Sequence, residues 1–335
     1  MRAVVVEGPR RLAVENVPDP TPAPGQVVLR VAACGICGSD LHMHQGGFLP
    51  AGAIMGHEFC GEVVDAGGEL RVGERVAVLP VLSCGRCLRC RGGLGAYCSA
   101  QRALGLGQAP GAFAEYVAIA AHEAVRLPPE VDDEQGALVE PLAVGLHAVN
   151  AARVRRGDRC LVIGAGPIGL AITLWARHFE ASEVIVSEPA PGRRALAEQL
   201  GATRAIDPGS EDLGAALALA APEGADVVFE AVGAPGLIQQ CVERVRFRGR
   251  IVVAGVCITP DSFHPVPAVL KEASLQFVLA YERDDFQYTV DLLAQGRIRP
   301  AAMITERIGL GGVSAAFDAL ERPSVEGKLL VLPWS

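Results

Sequence analysis

The chain has no run of 18 or more apolar residues, and its N-terminus lacks the basic region followed by an apolar stretch that marks a secretory leader. Both features point to a cytoplasmic chain with no membrane partner. An excess of positive charge is missing too. Thirty Lys and Arg against 38 Asp and Glu leave a net charge of −8, which argues against nucleic acid, because binding phosphates needs clustered cations. No internal repeat, low-complexity tract or long disordered linker interrupts the 335 residues. What the chain does have is material for a core: half of it is hydrophobic, and its mean hydropathy is +0.30. The length suggests about two domains. Ten cysteines in an intracellular chain point to metal or catalysis more than to disulfides.

Up to about residue 150 the pattern is short strands broken by Pro and Gly, as at Val27 to Ala33, Phe59 to Ala66 and Ala114 to Ile119. From Arg159 the texture changes. Apolar β runs at Cys160 to Ile163, Glu183 to Ser187, Asp226 to Phe229 and Arg250 to Ala254 alternate with helical segments, which predicts a parallel sheet of βαβ units. Beyond Phe286 a helix through Ala294, another over Val313 to Glu321 and a strand at Lys328 to Leu332 read as a return to the first domain. The expected fold class is α/β, with a mostly-β domain over 1–149 and 286–335 and a doubly wound parallel-sheet domain over 150–285. The stretch Ser274 to Ala280 reads as the last strand of that sheet. Its apolar residues would be a liability on an open edge, so a homodimer or homotetramer is expected.

Three groups of residues carry chemistry. Cys37-Gly38-Ser39-Asp40-Leu41-His42 and Gly56-His57-Glu58 gather a thiolate and an imidazole suited to Zn²⁺, with Asp40 and Glu58 able to orient a ligand or to act as one. Ser39 and His42, three residues apart, are placed to pass a proton between a buried site and water. Cys84, Cys87, Cys90 and Cys98 stand as C-x2-C-x2-C-x7-C, with Gly85 and Gly92-Gly93 letting the backbone fold around an ion. Four thiolates leave no open position, so this zinc is structural. The third group is Gly164-Ala165-Gly166-Pro167-Ile168-Gly169, which follows a strand and opens a helix. There Gly164 serves a tight turn, Gly166 the approach of a pyrophosphate and Gly169 the packing of helix on sheet, with the phosphates on the helix N-terminus. Glu188, nineteen residues past Gly169, is placed to accept hydrogen bonds from a ribose 2′-OH.

With Glu140-Pro141-Leu142-Ala143, the order and spacing of these motifs resemble the zinc-dependent medium-chain alcohol and polyol dehydrogenases over essentially the whole chain, most closely the sorbitol and 2,3-butanediol branch. The resemblance implies a GroES-like catalytic domain in two chain segments, a Rossmann domain, and an active site in the cleft between them. It implies that Cys37 and His57 ligate a catalytic zinc, with Glu140 as third protein ligand, Glu58 as an alternate ligand, and Asp40 fixing the His57 tautomer. Two zinc ions per chain and NAD follow. The implied chemistry is hydride transfer between an alcohol, secondary in the first reading, and the nicotinamide, the proton leaving through Ser39, the cofactor ribose and His42. Arg193 resembles a basic residue lining the adenosine ribose. Lys328 falls where relatives often have a phosphate-contacting cation, though it could equally be a surface charge. Gly38 replaces an Arg that some relatives set on the pyrophosphate.

The segment between His42 and His57 is shorter than in butanediol relatives, and its Phe48 and Leu49 suggest an open, apolar substrate entrance favouring a hydrophobic substituent over a polyol. A polyol or diol substrate is the alternative. Two further readings differ in class: a zinc-free, NADPH-dependent quinone reductase, which would lack Cys37, His57 and the cysteine group, and a non-enzymatic zinc- and nucleotide-binding protein, which would have no use for Ser39 and His42. The other cysteines, Cys34, Cys60, Cys160, Cys241 and Cys257, read mostly as small core residues.

Overall fold

The computed structural model describes residues 1–67, 69–320 and 327–335. It divides into one unit of 1–143, 281–297 and 304–335 and a second of 144–280 and 298–303, where the sequence suggested crossings near 149 and 286. A helix over Asp133–Ala152 spans the first crossing. The last helix is described over Val313–Leu320; its expected end at Glu321 lies outside the described residues. Among the described residues no helix is long and apolar enough to cross a membrane.

The second unit holds six parallel strands in the order Arg204–Ile206, Glu183–Ser187, Arg159–Ile163, Ala225–Glu230, Val245–Val253, Ser274–Phe277. Runs such as Leu161-Val162-Ile163 and Val227-Val228-Phe229 are buried on both faces, which is why they read as unbroken apolar stretches rather than as alternation. The strand order reverses beside Arg159–Ile163, and the crevice outside the carboxyl ends of strands at such a reversal is where this architecture takes ligands.

The first unit is built on a seven-stranded sheet whose central strand, Gln26–Gly35, buries Val27, Leu29 and Val31 at period two. It pairs antiparallel with Glu58–Asp65, Tyr116–Ala120 and Lys328–Val331. The register sets Gly35 opposite both Glu58 and Leu330. Three chain segments far apart in sequence, those carrying Cys37, His57-Glu58 and Lys328, therefore arrive at one end of the sheet.

Candidate active site: a metal centre and a dinucleotide loop

Strand Gln26–Gly35 gives way to a helix over Gly38–Gln45 with Cys37 as its N-cap. Asp40, wholly buried, accepts the Cys37 N–H at 2.9 Å through Oδ2 and faces His57 Nδ1 at 3.2 Å through Oδ1. One carboxylate thus caps the helix and orients the imidazole, leaving Nε2 on the Cys37 side. Ser39 Oγ donates to Cys37 Sγ at 3.1 Å and lies 3.3 Å from His57 Nε2. Donor atoms of Cys37, His57 and Glu58 all fall within 4.8 Å of one another. His42, on the same helix as Ser39, is exposed.

The electrostatics of this pocket call for a cation. Burial works against a charge on His57, yet Asp40 and Cys37 outweigh it and hold the imidazole pKa well above its usual value. Burial, and then the Glu58 charge, push the Glu140 carboxyl up to about 7. The Tyr281 phenol, buried and hydrogen-bonded to Glu140, is raised well above the usual tyrosine range. Asp40 and Cys37, which favour an imidazolium at His57, would favour a divalent ion for the same reason. A thiolate, an imidazole and a carboxylate in reach of one point, with Glu58 Oε2 buried and lacking a hydrogen-bond partner, fit zinc with an open fourth position.

The converging set is Cys37, His57 and Glu58. Glu140, although buried, stands outside it with its carboxylate tied to Tyr281. Tyr281 was invisible to sequence reasoning, since a lone tyrosine where the chain returns to the first unit carries no pattern. Lys328 corrects an expectation. It is not a surface charge: it is 1 % exposed, and its ammonium donates to Glu58 Oε1 at 2.7 Å and to the Ile36 carbonyl at 3.0 Å. Burial opposes this charge, but Glu58 and Cys37 hold the Lys328 pKa above its ordinary value. Leu49 corrects another: it packs into the core, so of the pair expected to line an entrance only Phe48 is exposed.

The four cysteines form a separate cluster with all donor atoms within 4.8 Å. Sulfur separations of 3.8 Å for Cys84 and Cys90, 3.4 Å for Cys87 and Cys90 and 3.9 Å for Cys87 and Cys98 match the ~3.8 Å edge of a tetrahedron with Zn–S bonds of ~2.3 Å. Backbone N–H groups of Arg86 and Cys87 pull the Cys84 thiol down to about 6, favouring the thiolate that zinc needs. Of residues 84–98 only Gly95 and Cys98 are buried, so the lobe has almost no core of its own. Cys34, Cys60, Cys160 and Cys241 are buried as expected, while Cys257 is partly exposed.

In the second unit strand Arg159–Ile163 runs into Gly164, whose φ of +96° is the left-handed turn that glycine permits. A side chain at Gly169 would collide with the Gly164 carbonyl, whereas Gly166 faces open space; Pro167 then opens the helix Pro167–His178, with Ile168 in its first turn. Glu188, 5 % exposed, follows strand Glu183–Ser187, and its carboxylate accepts N–H groups of Ala165 at 2.8 Å and Ala190 at 3.0 Å. The acidic group is thereby fixed against the glycine loop. Arg193 is half-buried on helix Pro191–Gln199, and its neighbour Arg194 is turned back onto the carbonyls of Glu188 and Pro189.

Known proteins resemble the chain over nearly its whole length. Residues 23–129 match the alcohol dehydrogenase GroES-like domain and residues 167–295 the zinc-binding dehydrogenase family. The chain is 34 % identical to (R,R)-butanediol dehydrogenase of Bacillus subtilis (strain 168), with 99 % of this chain and 100 % of the relative covered. It is 33 % identical to L-threonine 3-dehydrogenase of Mesorhizobium japonicum, covering 96 % and 95 %. Among solved structures, a Sinorhizobium meliloti 1021 protein bound to NADP superposes with a TM-score of 0.90 at 34 % identity over 99 % of each chain. The chain belongs to the zinc-binding dehydrogenases with an alcohol dehydrogenase GroES-like domain, a family of alcohol and polyol oxidoreductases.

Proposed function

We propose that this protein oxidises a secondary alcohol with NAD, reversibly, using one catalytic zinc held by Cys37, His57 and Glu58 and one structural zinc held by Cys84, Cys87, Cys90 and Cys98. The observation that carries the reading is the meeting of three unlike donors within 4.8 Å with the Ser39 hydroxyl beside two of them. Zinc held by Cys37, His57 and Glu58 would supply Lewis acidity to a substrate oxygen, and a nicotinamide cofactor held at the glycine loop and Glu188 would supply hydride chemistry. The protein's own groups do the rest. Ser39 Oγ receives the substrate proton, exposed His42 exchanges it with solvent, Asp40 keeps His57 Nε2 aimed inward, and Glu140, tied to Tyr281, serves as the carboxylate behind the three ligands.

The NAD preference rests on Glu188, because a 2′-phosphate would be set against a carboxylate already fixed by two backbone N–H groups. Arg193, on the helix that follows, lines the adenosine ribose. The Bacillus and Mesorhizobium relatives are named for a butanediol and for L-threonine, a diol and an amino alcohol, which favours a substrate of that kind as the second reading. The two-fold partner is another copy: the open edge strand Ser274–Phe277 is followed by Leu279, and Phe277 and Leu279 are 65 % and 67 % exposed. Light scattering at micromolar concentration should read a dimer or tetramer; a monomer contradicts this part. For the activity, a panel of secondary alcohols and diols is assayed by NADH absorbance with NAD and NADP in parallel. Turnover favouring NAD supports the reading, no turnover on any alcohol removes it, and a preference for NADP overturns the role given to Glu188.

A further inference from the structure

Lys328 opens strand Lys328–Val331 and is one of the largest side chains buried almost completely, an expensive place for an ammonium unless its partners require it. Its two hydrogen bonds are more than a simple ion pair. One goes to the carbonyl of Ile36, the residue before Cys37; the other goes to Glu58, the residue after His57. A single cation from a third strand therefore ties together the two segments that carry the metal donors.

The carboxylate of Glu58 is divided by this contact. Oε1 is taken by Lys328 at 2.7 Å, while Oε2, equally buried, has no hydrogen-bond partner, and Glu58 offers a carboxylate oxygen to the converging donor set. Gly35 makes the arrangement possible: a side chain there would collide with Glu58 Oε2 and come within 3.2 Å of Lys328 Cδ. The glycine, the lysine and the glutamate thus pack against one another, with Glu58 Oε2 left without a hydrogen-bond partner.

We propose that Lys328 is a positioning residue of the metal centre: its ammonium grips one oxygen of Glu58 so that the other is presented to the ion beside Cys37 and His57, and it thereby sets how firmly the ion is kept. This rests on the catalytic-metal reading above. A group that fixes a ligand from behind typically changes metal affinity by ~10- to 100-fold when lost.

The test follows zinc release from the holoenzyme into a colorimetric chelator, with the four-cysteine lobe as an internal control. Wild type should show two phases, one of which disappears in His57→Ala. In Lys328→Met that phase should run ~10- to 100-fold faster with the other unchanged. Should Lys328→Met fail to fold, Lys328→Gln, which keeps a donor for the Ile36 carbonyl without the charge, is expected to act in the same direction. A purely architectural lysine is separated by a double-mutant cycle: in a Glu58→Gln background, where release is already fast, Lys328→Met should add less than ~3-fold. An unchanged or slower phase in Lys328→Met, or an equal acceleration in both backgrounds, overturns the assignment of Lys328 while leaving the metal centre standing. The lack of any phase sensitive to His57→Ala overturns both.

Discussion

The two donor clusters of the first unit differ in how the chain assembles them. The four cysteines lie within residues 84–98, in a lobe where only Cys98 and Gly95 are buried and almost nothing is packed beneath it. The other centre takes Cys37, His57 and Glu58 from the ends of paired strands and surrounds them with Asp40, Glu140, Tyr281 and Lys328, all buried. In the first, local turns create the site, and the zinc proposed there would stand in for a core. In the second, the sheet creates the site, and a buried charge network surrounds donors proposed to hold an ion with one position open.

This contrast is sharpest under mutation of one sulfur in each. Cys37→Ser should abolish turnover while the thermal unfolding midpoint stays near wild type, since the sheet beneath it is intact. Cys90→Ser should do the reverse first, lowering the yield and midpoint of folded protein, with activity lost only as the fold is lost. Activity assays and thermal melts on both variants decide it; a fully stable Cys90→Ser removes the structural role. A smaller effect separates the groups within the open site. Ser39→Ala, at the donors themselves, should cut kcat severely at every pH. His42→Ala, on the exposed side of the same helix, should cost ~10- to 100-fold and be partly restored by added imidazole, because water and buffer reach it. A missing rescue with an unchanged pH profile would remove His42 from the proton path.

The same contrast explains what was legible in the sequence. The cysteine spacing and the glycine loop are local patterns, and the strand-to-helix setting of Gly164, Gly166 and Gly169 is what periodicity predicted. Pairing between strands is not local. That Glu58 lies opposite Gly35, and that Lys328 reaches both, depends on the register of three strands. A sequence hint did exist: Lys328 begins an otherwise apolar strand, and a lysine there must leave the core or find a carboxylate. Tyr281 offered no comparable hint. Leu49 was misplaced beside Phe48 because adjacent residues in an irregular segment need not share a side, and the core claimed one of them. The edge strand was expected to run to Ala280, but regular pairing ends at Phe277.

The central claim is that the two clusters hold zinc for different purposes, and stepwise zinc removal tests it most directly. Beginning from about two zinc ions per chain, a chelator titration is followed by metal analysis, turnover and circular dichroism on the same samples. The account predicts that turnover vanishes as the first ion leaves while secondary structure and unfolding midpoint hold, and that the midpoint falls only with the second. Turnover that persists until the second ion is gone, or a fold that collapses with the first, would contradict it.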